Sequence, residues 1–264
     1  MRVVAVQFDI AWETKPDNFQ AVRRLLAAAP PERGSLVVLP EMFATGFSMN
    51  GEAIAENPGG PTEQFLAATA QEWGVHLIGG AAMRGRDGRL RNKALVFSPE
   101  GKLAAYYAKR RPFTPGGEHQ HYTAGKRAAA FRWGEVTVSP LICYDLRFPE
   151  LFREAAATFR PELFAVIASF PAKRASHWIR LLQARAIENQ AYVVGVNRVG
   201  TDPFYAYNGH SVIVDPHGDI LADAGESEGC VSAALDLDML RQYRKGLPFL
   251  EELKPNRPAT ERTD

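Results

Sequence analysis

The chain of 264 residues is poor in cysteine, in net charge and in long apolar runs, and each shortage removes a class of function. Its two cysteines, Cys143 and Cys230, form neither a CxxC pair nor a Cys/His spacing suited to zinc. In a reducing compartment both are expected as free thiols, and the usual role for each is that of a small buried hydrophobe. Lysine and arginine number 31 against 30 aspartate and glutamate, a formal net charge of +1. A nucleic-acid binder carries a marked basic excess or stripe, so the expected partner is a small molecule. No stretch approaches the roughly 20 apolar residues of a bilayer span. The short apolar run after Met1-Arg2 lacks both the length and the cleavage site of a signal peptide. The expectation is a cytoplasmic protein without membrane or nucleic-acid partners.

Common nucleophile and cofactor motifs are missing as well. No Walker A or GxGxxG stretch is present, and the two near-matches to GxSxG, at 46–50 and 209–213, lack the final glycine. His119 and His121 are two apart with no HExxH and no carboxylate cluster beside them, so neither a metal nor a cofactor is expected.

What is present is an alternation of strand-length apolar runs with helix-period segments. The first round reads as a strand at 2–8, a helix capped by Asp17 and ended by Pro30-Pro31, and a short buried strand at 36–39. A helix opening on Pro61-Thr62 follows, then strands at 75–83, 92–98 and 102–109. A Pro-, Gly- and His-rich segment, 110–125, reads as a functional loop. The second round has strands at 128–132, 136–142, 163–168, 192–196, 211–215, 220–223 and 230–236, with helices at 149–157 and 176–189. No linker divides the chain, so one domain is expected over 1–250 with a polar tail at 251–264. Periodicity alone is compatible with an open doubly wound sheet or with two sheets flanked by helices.

Three charged or nucleophilic residues stand where apolar strands stop: Glu41, Lys109 and Cys143. Cys143 lies between a strand and a helix signalled by Pro149-Glu150, a turn that exposes a side chain at the sheet edge and aims backbone N–H groups at a ligand. A cysteine nucleophile needs a base and an oxyanion stabiliser, and a glutamate and a lysine are the right types. The alternatives are core filler for Cys143 and solvated strand-end charges for the other two.

The segments around these positions resemble the signature blocks of the nitrilase superfamily of carbon-nitrogen hydrolases. They are Leu39-Pro40-Glu41-Met42-Phe43, Lys109 with Phe113 and Gly116-Gly117-Glu118, and Cys143-Tyr144-Asp145-Leu146-Arg147-Phe148-Pro149-Glu150. Residues 184–190, 197–200 and 211–218 extend the resemblance over about residues 1–245. Residues 40–49, 118–122 and Ser176-His177-Trp178 are similar to the ω-amidases, which hydrolyse the terminal amide of 2-oxoglutaramate and 2-oxosuccinamate. Arg111-Pro112 and the Tyr- and Phe-rich segment 201–207 depart from the usual pattern.

The resemblance implies an α/β fold, a four-layer αββα sandwich with two central sheets flanked by helices, assembled as a homodimer or larger homo-oligomer. It implies Cys143 as nucleophile and Glu41 as general base. Lys109 and the Tyr144 backbone N–H would bind the oxyanion, and Glu118 would orient Lys109 or assist the base. An ω-amide acid also carries a carboxylate that must be met. Arg147 is the first candidate, unless it pairs with Asp145 or Glu150; His119, His121 and Tyr122 compete, as do Tyr205 and Tyr207. Trp178, Leu181 and Leu182 read as core or oligomer interface, Arg185 and Glu188 as a salt-bridged helix, and Cys230 as core. The rival activities are those of a deaminated-glutathione amidase, an N-carbamoyl amino acid amidohydrolase or a nitrilase, and the rival class is an inactive oligomerising scaffold.

Overall fold

Continuous apolar runs a few residues long suit strands covered on both faces, and here such runs fill two sheets. The computed structural model, which describes residues 1–253, places six strands in each. The first sheet holds β1 (Arg2–Gln7), β2 (Leu36–Val38), β3 (His76–Arg84), β4 (Leu90–Phe97), β5 (Leu103–Ala108) and, from the far end of the chain, β14 (Gly229–Ala234). The second holds β6 (Phe131–Trp133), β7 (Val136–Ile142), β8 (Leu163–Ile167), β9 (Tyr192–Val196), β12 (Val212–Val214) and β13 (Ile220–Asp223). A separate hairpin is made by β10 (Val199–Thr201) and β11 (Ala206–Asn208).

The strand orders are β14-β1-β2-β3-β4-β5 and β13-β12-β9-β8-β7-β6. Each sheet has a parallel centre, β1-β2-β3 or β7-β8-β9, extended by antiparallel neighbours. Alternate residues along β1, β2 and β3 sort between two cores, as a period of two requires. Val3, Ala5, Leu36, Val38 and Ile78 of the first sheet share a core with Val138, Ile142 and Val194 of the second. Their chain neighbours Val4, Val6, Val37, Leu39 and Leu77 lie instead under α1 (Lys15–Ala28) and α3 (Pro61–Trp73), against Val22, Leu26, Phe65 and Leu66. On the opposite side α5 (Pro149–Phe159) and α6 (Ala175–Asn189) cover the second sheet with Phe152, Ala155, Trp178 and Leu182. The result is the four-layer αββα sandwich, and the open doubly wound sheet is excluded.

Several boundaries differ from the sequence reading. α1 begins ahead of Asp17, which lies in its first turn while Thr14 takes the cap position without a side-chain bond. Residues 128–130 carry no strand, because only Phe131–Trp133 finds a partner, on β7. The loop at 110–125 contains a 3-10 turn, Thr114–Gly116, and the short helix α4 (Glu118–His121). Asp236 leaves the strand expected at 230–236 and caps α7 (Leu237–Gly246), its carboxylate accepting from Met239 N at 2.9 Å. That helix, the short α2 (Gly51–Ile54) and the β10–β11 hairpin had no counterpart in the sequence reading. Of the tail expected at 251–264, the first two residues belong to the 3-10 turn Phe249–Glu252 that buries Leu250, and residues 254–264 lie outside the described residues. No described helix is long and apolar enough to cross a membrane.

Candidate active site

Glu41 follows β2 and Lys109 follows β5 in the first sheet, whereas Cys143 and Ser169 follow β7 and β8 in the second. The sandwich brings these ends together at one edge of the gap between the sheets. Glu41, Lys109 and Glu118 are essentially inaccessible, at 0%, 1% and 0% exposure, so their charges must be met by each other. Lys109 Nζ donates to Glu41 Oε1 and to Glu118 Oε2, both at 2.8 Å. Asn92 Nδ2 bridges the same two carboxylates, at 2.7 Å to Glu41 and 3.0 Å to Glu118. Ser169 N donates to the second oxygen of Glu41 at 2.9 Å, and Phe113 N to Glu118 Oε2 at 2.5 Å. Asn92 and Ser169 were missed in the sequence. The available signal was a polar residue inside β4 and another just past the apolar β8.

Cys143 stands beside this cluster, its Sγ 3.8 Å from Ser169 O and facing Glu41. It opens a 3-10 turn, Cys143–Arg147, with a φ of 48°, a left-handed conformation unusual for a non-glycine residue. That turn presents the Tyr144 amide in its first positions, where N–H groups have no partner within the turn. Asp145 ties it down: its carboxylate accepts from Ile142 N at 3.1 Å, Arg111 N at 2.8 Å and Tyr107 Oη at 2.9 Å. Arg185 reaches from α6 to Leu146 O at 2.9 Å while pairing with Glu188 at the same distance. Glu41 is held from the other side by Gly80, where an added Cβ would come 2.4 Å from Met42 N and 2.7 Å from Glu41 Cα.

The electrostatics follow from this packing. Burial pushes the Cys143 thiol well above its usual range, Glu41 adds to the shift and Lys109 opposes it. Burial also works against the Lys109 ammonium, but Glu118 and Glu41 outweigh it and hold the pKa above the ordinary lysine value. Burial raises Asp145 to about 6, with Lys109 and the Tyr107 hydroxyl opposing.

Cys143, Tyr144 and Ser169 line a narrow, largely apolar cavity at this edge. Its other walls include Phe47, Phe113, Phe170, Arg147, Arg174, Tyr205 and Tyr207. Arg147 makes neither of the ion pairs weighed for it: Asp145 is occupied by the contacts above, and Glu150 pairs with Arg111 at 2.9 Å. Its guanidinium instead lies 5.3 Å from the Phe170 ring centre, with both terminal nitrogens 3.3 Å from His177 Nδ1. Tyr205 and Tyr207 arrive on the β10–β11 hairpin, whose turn Asp202 holds through Tyr205 N at 2.7 Å and Tyr207 Oη at 2.5 Å. His119, His121 and Tyr122 are not brought to the cavity. The two histidines are exposed on α4, and Tyr122 is buried with its hydroxyl on Ser48 O at 2.8 Å. Helix α4 turns Glu118 inward and so turns its histidines out. Trp178 and Leu182 are core, and Cys230 is half-buried with its Sγ 3.8 Å from Leu25 O.

Similarity to known proteins extends along nearly the whole chain. Residues 2–245 match the family model described as carbon-nitrogen hydrolase. A 2-oxoglutaramate amidase of Bacillus subtilis is 32% identical over 253 residues, covering 96% of this chain and 97% of the relative. An ω-amidase of Yersinia enterocolitica is 39% identical over 258 residues, covering 96% of each. Among solved structures, a CN-hydrolase superfamily protein of Xanthomonas campestris with an arsenic adduct in its active site superposes with a TM-score of 0.90. It is 33% identical, over 98% of this chain and 99% of that one.

Proposed function

The chain belongs to the carbon-nitrogen hydrolase family, and within it we propose that this enzyme is an ω-amidase. It hydrolyses the terminal amide of a small dicarboxylic acid monoamide such as 2-oxoglutaramate and releases ammonia through a thioester on Cys143. The observation that carries this reading is that Cys143, beside the buried Glu41–Lys109 pair, lines a cavity that also holds Arg147, which has no carboxylate partner among the described residues.

Cys143 attacks the amide carbonyl as Glu41 accepts the thiol proton. With the thiol held neutral at rest, that transfer belongs to the encounter with substrate. The negative charge that develops on the carbonyl oxygen is met by the Lys109 ammonium and the Tyr144 N–H, and one such donor contributes about 10² to 10³ in rate. Glu41 returns the proton to the departing ammonia and then activates the water that cleaves the thioester. Glu118 and Asn92 position Lys109 and Glu41 without taking part in bond making. Arg147 binds the substrate carboxylate at the other end of the cavity.

Cys143→Ser should abolish ammonia release from 2-oxoglutaramate while leaving the melting temperature within a few degrees of the parent. Retained turnover overturns the mechanism. A panel of ω-amides, simple amides, carbamoyl amino acids and nitriles tests the substrate class, and preference for any of the last three overturns it. The reading includes a cytoplasmic homodimer or larger homo-oligomer, supported by the exposed apolar Ile187, Ile220, Leu221 and Leu247. Light scattering at micromolar concentration checks the assembly.

A further inference from the structure

The cavity holds a second cation that the reaction as described leaves unused. Arg174 ends the 3-10 turn Ala172–Arg174 at the cavity wall, with its guanidinium carbon 5.4 Å from the centre of the Phe113 ring. Arg147 faces the same space from the catalytic turn. The two are close enough that Arg174, after burial, helps hold the Arg147 guanidinium below its usual range. Neither makes a salt bridge among the described residues, although the neighbouring Arg110 and Arg111 find Glu154 and Glu150 at 2.8 and 2.9 Å. Among the described residues no aspartate or glutamate lines the cavity: its walls are aromatic, small or cationic, and the nearby buried Glu41 is already engaged by Lys109, Asn92 and Ser169 N.

Two guanidiniums stacked on aromatic walls present only hydrogen-bond donors. They suit an end group made only of acceptors, such as a carboxylate with an adjacent carbonyl oxygen. An α-ammonium in that place brings three more donors and a like charge, and the lining offers neither an acceptor carboxylate nor a counter-ion. On the ω-amidase reading, we infer that Arg174 is a specificity-determining residue. With Arg147 it reads the 2-oxo acid end of the substrate, and it rejects the corresponding 2-amino acid amide, glutamine. A site built to satisfy polar groups discriminates strongly against a substrate that leaves them unpaired.

The test is the ratio of kcat/KM for 2-oxoglutaramate to that for glutamine, measured by ammonia release in the parent and in Arg174→Gln, Arg174→Glu and Arg174→Lys. Arg174→Gln should lower the ratio about 10- to 100-fold. Arg174→Glu should lower it further by raising glutamine turnover in absolute terms, and Arg174→Lys should restore most of it. A purely structural role depresses both substrates together, so an unchanged ratio in Arg174→Gln overturns the inference. If Arg174→Glu does not fold, the Gln and Lys variants still decide. A parent enzyme inactive on 2-oxoglutaramate overturns the underlying reading instead, whereas an active parent with an unchanged ratio in the variants overturns the role of Arg174 alone.

Discussion

Glu118→Gln is nearly isosteric, yet the hydrogen bonds around position 118 cannot accept it. Both carboxylate oxygens of Glu118 receive only donors: Oε1 from Asn92 Nδ2, and Oε2 from Lys109 Nζ and Phe113 N. A glutamine offers one acceptor and one donor group, so its NH2 must face a donor on one side. With the amide oxygen placed toward Lys109 and Phe113, the NH2 meets Asn92 Nδ2. Flipping Asn92 would offer its Oδ1, which has no partner at present, but would then set that oxygen against Glu41 Oε1. One position or the other stays frustrated. The variant loses a charge-assisted bond of about 1.5–3 kcal/mol. If that loss falls on Lys109 as it binds the oxyanion, kcat drops between about tenfold and about 150-fold. A stability loss of about 1–3 kcal/mol should lower the melting temperature by about 2–12 °C. Ammonia release under saturating ω-amide, together with a thermal melt, measures both. A variant with more than half the parental kcat and an unchanged melt would refute the reasoning.

Gly80→Ala should impair both folding and turnover, because its Cβ would meet backbone at Met42 N and Glu41 Cα. Gly229→Ala, whose Cβ would meet nothing within 4 Å, is the control, and parental activity and melting in Gly80→Ala would refute the close-approach argument. Asp145 gives a pH prediction of defined sign. Its folded pKa of about 6 lies above the ordinary aspartate value of 3.8, so the folded state holds the extra proton between these limits. Its contribution to stability is therefore most favourable below about 4 and declines as pH rises through about 6. Urea midpoints of parent and Asp145→Asn over pH 4–7 read this out as a difference, and the parent should lose ground to the variant as pH rises. Arg147→Ala should lose about 10²-fold in kcat/KM on acid amides with a much smaller loss on simple amides, and equal losses would assign Arg147 a structural role.

The layers were legible because the central strands of both sheets are buried on both faces, which leaves uninterrupted apolar runs such as Leu36-Val37-Val38-Leu39. Periodicity could not choose between one open sheet and two, since either arrangement places helices over such strands. That choice rests on which faces meet, a long-range fact that the resemblance supplied. α7 escaped because its core contribution among the described residues is only Leu237 and Leu240, set in a charged segment. The β10–β11 hairpin escaped because its strands are three residues each and are held from outside. Arg198 donates from the end of the second sheet to Asp9 Oδ1 at 2.7 Å and to Thr201 O at 3.1 Å, and its guanidinium lies 4.6 Å from the Tyr207 ring. No local pattern encodes that clamp.

The chemistry-bearing positions divide in the same way. Glu41, Lys109 and Cys143 were visible one at a time, because a charge or thiol directly after an apolar strand breaks a simple pattern. Asn92 and Ser169 were not, since each matters only through a partner on another strand: Asn92 contacts Glu41 across 51 positions and Ser169 across 128. The error on His119, His121 and Tyr122 has the same origin. Those residues flank Glu118 in sequence, but a one-turn helix that buries Glu118 against Lys109 points its neighbours elsewhere. Proximity along the chain is therefore a weak guide to the cavity lining, whereas the end of a strand is a strong one. A buried ammonium between two carboxylates loses the stabilisation of water and is tolerated only where the geometry is fixed. Here the positions just after β2 and β5 fix Glu41 and Lys109, and the one-turn helix α4 brings Glu118 to them. Glu41, Lys109, Cys143 and Ser169 come just after strands of the two sheets, whereas the cavity-lining Arg174, Tyr205 and Tyr207 arrive on a 3-10 turn and a hairpin.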